Sequence, residues 1–169
     1  MVAQATRKNF CLFLDGRGYA GECDDFTPPK LGVQTEDFRA GGMDAPIAID
    51  MGMEKLTASF SLKSVTAESI KTWGVGPGVN FNCTVRCALE NYTTNETQEE
   101  TFVMTGRINS IETESVKAGS IAGNNFTMDL IYYKYSIGGV DLVEIDVLNM
   151  KRVIGGSDRL ASIRKAIGL

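Results

Sequence analysis

The chain contains no histidine. That one absence removes the usual general base, the histidine-activated serine and cysteine nucleophiles, and the commonest metal ligand. An enzyme becomes a minority reading. No cluster of lysine and arginine of the kind that tracks a phosphate backbone is present either, and 17 basic residues are outweighed by 21 acidic ones, for a net charge of -4. The balance argues against tight nucleic-acid binding but leaves room for passing contact with DNA without grip. No apolar run approaches the roughly 20 residues of a membrane-spanning helix. The segment Met1 to Asn9 is polar and lacks the apolar stretch of a secretory signal. The cysteines, Cys11, Cys23, Cys83 and Cys87, include no Cys-x-x-Cys pair, so a zinc site would need all of them at unusual spacing. Gly138-Gly139 and Gly155-Gly156 lack the Lys-Ser/Thr of a phosphate loop. The paired acids Asp24-Asp25 and Glu99-Glu100 read as solvated loop residues, and Glu144 with Asp146 as the wet side of a strand. A small β-barrel enzyme using carboxylates would need a concave pocket and a perturbed acid, and no motif supplies either. Nothing calls for a cofactor or a metal.

What is present is a chain of 169 residues, 43% hydrophobic and 22% charged, which suits one globular domain over residues 1–169. Its most unusual stretch runs from Ala40 to Leu56. Met43, Pro46, Ile47, Ile49, Met51, Met53 and Leu56 make it apolar, yet Gly41, Gly42, Pro46 and Gly52 interrupt it. Glycine and proline at this density rule out a stable helix and disfavour a long central strand. An apolar loop is anomalous, because loops run over the surface. Either it folds back over its own core, or it leaves the domain and packs on a neighbouring copy. The second reading is preferred, since exposed apolar patches mark docking sites and flexible thioethers fill irregular gaps.

Elsewhere the dominant signal is the alternation of half-buried strands. Asn9 to Leu14 reads as a buried strand. Asp15-Gly16-Arg17-Gly18 turns it, and Tyr19 to Cys23 returns antiparallel, which would bring Cys11 nearly opposite Cys23. Pro28-Pro29 closes that unit, and Val33 to Arg39 suits a short edge strand. Leu56 to Lys63 alternates cleanly. Thr66 caps a short helix whose face Ala67, Ile70 and Trp73 packs inward, with Trp73 sealing one end of the core. Val79 to Glu90 is the clearest strand. Asn91 to Glu100 reads as a polar linker, and Ala118 to Asn125 as a connection between strands at Thr101 to Glu112 and Phe126 to Ser136. Asp141 to Asn149 adds another strand, with Val143, Ile145 and Val147 facing in. Gly155-Gly156 leads to a terminal helix over residues 157–167, capped by Ser157, with Leu160, Ile163 and Ile167 as its apolar stripe. About seven strands without βαβ alternation predict a mainly β fold: two packed antiparallel sheets, a sandwich or distorted barrel, with one or two short helices.

Two polar strand faces stand out: Thr57, Ser59 and Ser61, and Asn80, Asn82 and Thr84. Small, uncharged and hydrogen-bonding, they suit either a water-filled lumen or a plain exterior.

The whole chain resembles the major tail tube proteins of contractile-tailed bacteriophages and of R-type pyocins. Leu12-Phe13-Leu14-Asp15-Gly16, Pro29-Lys30-Leu31, Arg39 to Ile47, Ile49 to Glu54, Val143-Glu144-Ile145-Asp146, Asn149-Met150, Asp158-Arg159-Leu160 and Ile167-Gly168-Leu169 carry the likeness, in order from end to end. The resemblance implies a structural virion protein of the tail, built in the host cytoplasm. Its subunits form hexameric rings whose inner strands join into one barrel around a lumen, and the rings stack into the conduit for DNA ejection. It implies an extended loop over residues 39–56 that reaches between subunits and rings, with Arg39, Gly41, Gly42, Met43, Pro46, Ile47, Ile49, Met51 and Met53 as its contact residues. The implied partners are further copies, the tail sheath, baseplate and tail terminator proteins, the tape measure protein, and then DNA held without specific binding; membrane insertion is not among its roles. A genome-free tube, of the pyocin or type VI secretion type, is the alternative. The cysteines depart from the family pattern. Cys83 and Cys87 share a strand face about 13 Å apart, too far to bond each other. Buried free thiols are one reading, and disulfides between adjacent subunits through Cys11, Cys23, Cys83 or Cys87 the other.

Overall fold

The computed structural model describes residues 5–64 and 66–169; the start of the polar N-terminal stretch, residues 1–4, lies outside them. In chain order the strands are β1 (Ala5–Leu14), β2 (Arg17–Gly18), β3 (Cys23–Thr27), β4 (Val33–Phe38), β5 (Ile47–Met53) and β6 (Thr57–Leu62). A short helix α1 (Ala67–Ile70) follows, then β7 (Phe81–Asn91), β8 (Thr97–Thr113), β9 (Asn124–Ile137), β10 (Val140–Asp146), β11 (Lys151–Ile154), β12 (Ser157–Asp158) and helix α2 (Ala161–Ile167). All pairing is antiparallel. Ten strands form one continuous sheet, while β4 and β5 form a separate two-stranded hairpin.

The continuous sheet folds over on itself, so its two walls are the two packed antiparallel sheets expected from the alternation. The fold line lies where β8 and β9 change register between Thr105 and Gly106, leaving Ile131 as an extra residue on β9. A Cβ at Gly106 would overlap the Asp129 carbonyl oxygen, so only glycine lets the two backbones approach this closely. The bulge also resets which side chains point inward on β9: Phe126, Met128 and Leu130 before it, Tyr133 after it. One wall is β3-β6 with the N-terminal half of β9 and the C-terminal half of β8. The other is β1-β7 with the remaining halves of β8 and β9, followed by β10 to β12. Between them lie Leu12, Leu62, Val85, Met104, Phe126 and Met128, all under 2% exposed. Phe60 stacks on Phe126 with centroids 5.0 Å apart, and Phe26 of one wall meets Phe102 of the other at 5.4 Å.

Several expectations are corrected. The Asp15-Gly16 turn returns only through β2; Cys11 sits opposite Arg86, and Cys23 opposite Leu62, so the two cysteines are not cross-strand neighbours. β8 begins at Thr97, so the supposed linker shrinks to a turn over residues 92–96, and Glu100 is a buried strand residue. Thr66 does cap α1, its hydroxyl accepting from Ser69 N at 3.2 Å, but Ala67, Ile70 and Trp73 face out and Ser69 is the buried residue. Trp73, 57% exposed, does not seal the core. Ile145 is buried and Val143 half-buried, whereas Val147 lies exposed beyond the end of β10. Ser157 belongs to β12 rather than capping α2, which starts at Ala161 and carries Ile163 and Ile167 exposed.

Candidate functional site

The hairpin of β4 and β5 is an arm. Its chain order explains it: Ile47, Ile49, Met51 and Met53 alternate with Ala48, Asp50 and Gly52, the period of a strand rather than of a loop. Gly52, at φ +112°, occupies the bulge where Val33 faces Met53 and Thr35 faces Asp50, and the Asp50 carboxylate accepts its N–H at 2.8 Å. The tip turns at Ala40 to Met43, where Arg39 Nε donates to the Met43 carbonyl at 3.2 Å and Gly42 sits at φ +95°. At the base, Glu54 N donates to Gly32 O at 2.9 Å and Lys30 pairs with Glu54 at 2.9 Å; midway along β5, Asp50 lies 3.7 Å from Arg152 of β11. The arm's large apolar side chains are not covered by the subunit: Phe38, Ile47, Ile49 and Met51 are 44% to 58% exposed. Arg39, Gly41, Gly42, Met43 and Pro46 thus fall at the tip or just before β5, and Ile47, Ile49, Met51 and Met53 along β5.

The polar faces separate. Thr57 and Ser59 lie opposite Asp129 and Thr127 on the outer side of the β3-β6-β9-β8 wall, and Ser61 beside them is buried with its hydroxyl unpartnered. Asn82 and Thr84 lie on the outer side of the other wall, with Asn82 accepting from the Thr105 hydroxyl at 2.9 Å; Asn80 is exposed just before β7. The two sets point away from each other across the core. Among the described residues the first wall also ends in two open edges: β3 pairs only with β6, and β8 from Arg107 to Thr113 lies beyond the last pairing with β7, Phe81 opposite Gly106.

A sequence profile described as phage tail tube protein FII matches residues 5–168. The chain belongs to the phage tail tube protein family. It is 32% identical over 162 residues to the tail tube protein of Escherichia phage P2, covering 94% of each chain, and 32% identical over 142 residues to the major tail tube protein of Serratia phage KSP20, covering 83% of this chain and 81% of that one. A chain of the sheath–tube complex of an extracellular contractile injection system, PVC, superimposes with TM-score 0.57 at 12% identity, over 75% of this chain and 87% of that one. A chain from the baseplate of the anti-feeding prophage gives TM-score 0.58 at 11% identity, over 83% of this chain and all of its own. At such identities the likeness concerns the fold.

The molecule is therefore a structural tail tube protein. The cysteines of this tail tube chain divide by depth. All are free thiols within the subunit. Cys83 and Cys87 are in the core, where burial pushes their thiols up to about 12 and about 11. Their burial within the subunit matches the reading of buried free thiols. Cys11 and Cys23 are half-buried; burial also pushes Cys23 up to about 12.

Two tail tube features escape the sequence. Glu100 is fully buried, yet its carboxylate is held by Arg7 Nε and Nη2 at 2.6 and 2.7 Å and accepts the Tyr135 hydroxyl at 2.7 Å. The Arg7 guanidinium holds it below the usual carboxylate range, and Arg7 is raised in turn. At the C-terminus, Asp158 accepts from Arg164 Nη2 at 2.6 Å and from Leu160 N at 3.0 Å, which fixes the start of α2 in place of a side-chain cap and lowers the Asp158 carboxyl.

Proposed function

We propose that this chain assembles into hexameric rings that stack into the inner tube of a contractile tail, through which DNA leaves for the host. The observation that carries this reading is the arm. A two-stranded hairpin is marginal in water by itself, and this one leaves Phe38, Ile47, Ile49 and Met51 bare. A second copy is the partner that such a repeating contact supplies: head-to-tail it closes into a ring, and along the axis it grows as a filament. Interfaces of permanent assemblies run to on the order of 2,000 Å² or more, and the bare side chains of the arm and the exposed stripe of α2 are surfaces that such an interface would cover.

The lumen in this reading is lined by the outer face of the β3-β6-β9-β8 wall. Its open edges, β3 and Arg107 to Thr113, pair between subunits, and ring closure removes the liability of a bare edge. Thr57, Ser59, Ser110 and Thr127 then face passing DNA together with Asp129 and Arg107, and the net charge of -4 gives phosphates no grip. Asn80, Asn82 and Thr84 move to the opposite surface. The sheath encloses the tube there, baseplate and tail terminator close its ends, and the tape measure protein fills it before DNA does. The likeness to chains of a sheath–tube complex and of a baseplate supports those partners. The same likeness favours, as a second reading, a genome-free injection tube; capsid and terminase genes beside the coding sequence would decide for the phage.

The test is Ile47→Asp or Ile49→Asp. Each is expected to give a folded subunit that forms no tubes under negative-stain electron microscopy, and normal tubes from either variant refute the reading.

A further inference from the structure

We propose that Trp73 is a latch on the open edge of β8, which the edge strand of an incoming copy displaces. The proposal rests on the reading above that this edge pairs between subunits.

Among the described residues, no strand lies beside β8 beyond Gly106 on the side away from β9. The connection from α1 to β7 runs back along that side. Trp73, Gly74 and Val75 line a shallow hollow with Arg107, Ile108 and Asn109, and Trp73 Nε1 donates to the Asn109 carbonyl at 2.9 Å. Among the described residues this is the one hydrogen bond from residues 71–80 to the edge. Asn109 is the bulged residue between Ile108 and Ser110, left without a partner on β9. The rest of the latch is weakly held. α1 has four residues, and Ile70 and Trp73 are both exposed rather than packed in the core.

The physical consequence is a guarded template. An unpaired edge recruits any strand that meets it. The indole bars the approach and occupies a carbonyl, but through one neutral hydrogen bond and little burial. An incoming backbone N–H can replace the indole N–H without loss, and the freed indole offers a broad apolar face with one polar atom to the new interface. Guarding of this strength delays chance pairing of isolated subunits while leaving the edge open to a copy already positioned by its arm.

The experiment compares the full chain with Trp73→Phe, which keeps an aromatic ring and removes the donor, and with Trp73→Ala. Tube formation is followed by light scattering, sedimentation and microscopy over a dilution series. Trp73→Phe is expected to lower the concentration for half-assembly by about fivefold, the population shift of one neutral hydrogen bond, and to shorten the lag. An unchanged or higher assembly concentration in Trp73→Phe overturns the latch, whatever Trp73→Ala does. A second pair, Ser110→Pro and Ile111→Pro, tests the edge itself. Successive N–H groups of a strand point to opposite sides, so one of these prolines removes a donor from the free side and leaves the subunit folded. If the variant that remains folded by circular dichroism forms no tubes while Trp73→Phe assembles like the parent, the edge reading stands and the latch falls. If it forms normal tubes, both fall.

Discussion

Removing Arg7 should cost far more than an exposed ion pair normally does. The Arg7 side chain is 62% exposed, but its partner Glu100 is 1% exposed. Arg7→Ala deletes two charge-assisted hydrogen bonds and leaves a buried carboxylate with the Tyr135 hydroxyl alone. Breaking a buried pair from one side costs about 3–5 kcal/mol, and solvent screening at the arginine end reduces this to about 2–3 kcal/mol. With a urea m-value of about 2 kcal/mol/M, the midpoint should fall by about 1 M or a little more. The measurement is best made in the Ile47→Asp background, so that assembly does not contribute. The double variant Arg7→Met with Glu100→Gln should recover most of the loss, because no buried charge remains. The pH dependence has a definite sign. In the parent, Glu100 is depressed, so its contribution is full above the unfolded carboxylate value and is lost as pH falls through the folded one. In Arg7→Ala burial raises Glu100 instead, so protonation stabilises the fold and the gap to the parent narrows towards pH 4. A deficit under about 0.5 kcal/mol at pH 7, the range of a surface pair, or a gap that widens in acid, would refute the reasoning.

Gly106→Ala should cost about 3 kcal/mol or more, because its Cβ would overlap the Asp129 backbone carbonyl and the fold line cannot move; soluble yield and the urea midpoint report it, and parent-like stability contradicts the packing. A thiol reagent at pH 8 should modify Cys11 first in the folded subunit and reach Cys83 and Cys87 only on unfolding, and any cross-link in non-reduced tubes should map by mass spectrometry to Cys11 or Cys23.

Alternation was the legible part. Ala58, Phe60 and Leu62 point inward as β6 requires, and Cys83, Val85 and Cys87 do the same for β7. The anomaly of the arm was legible too, although glycine and proline concealed its strand; a two-stranded ribbon tolerates Gly52 at a bulge that a central strand would not. Glu100 was not legible. In the run Thr-Gln-Glu-Glu-Thr it looks solvated, and the arginine that makes its burial tolerable lies 93 residues away. Trp73 shows a different limit: spacing with Ala67 and Ile70 marks an apolar face without saying what it meets. The Tyr19 to Cys23 return failed because β3 finds its partner in β6 rather than in the preceding hairpin. Nothing local distinguishes those outcomes.

The shared strands β8 and β9 carry a mechanical consequence. In a sandwich of separate sheets, sliding one layer over the other breaks only side-chain contacts. Here the backbone itself passes twice from one layer to the other at Gly106 and Ile131, so such sliding must bend or stretch covalent chain. A cylinder made of these subunits would resist shear between its inner and outer skins and transmit an axial push as a stiff rod.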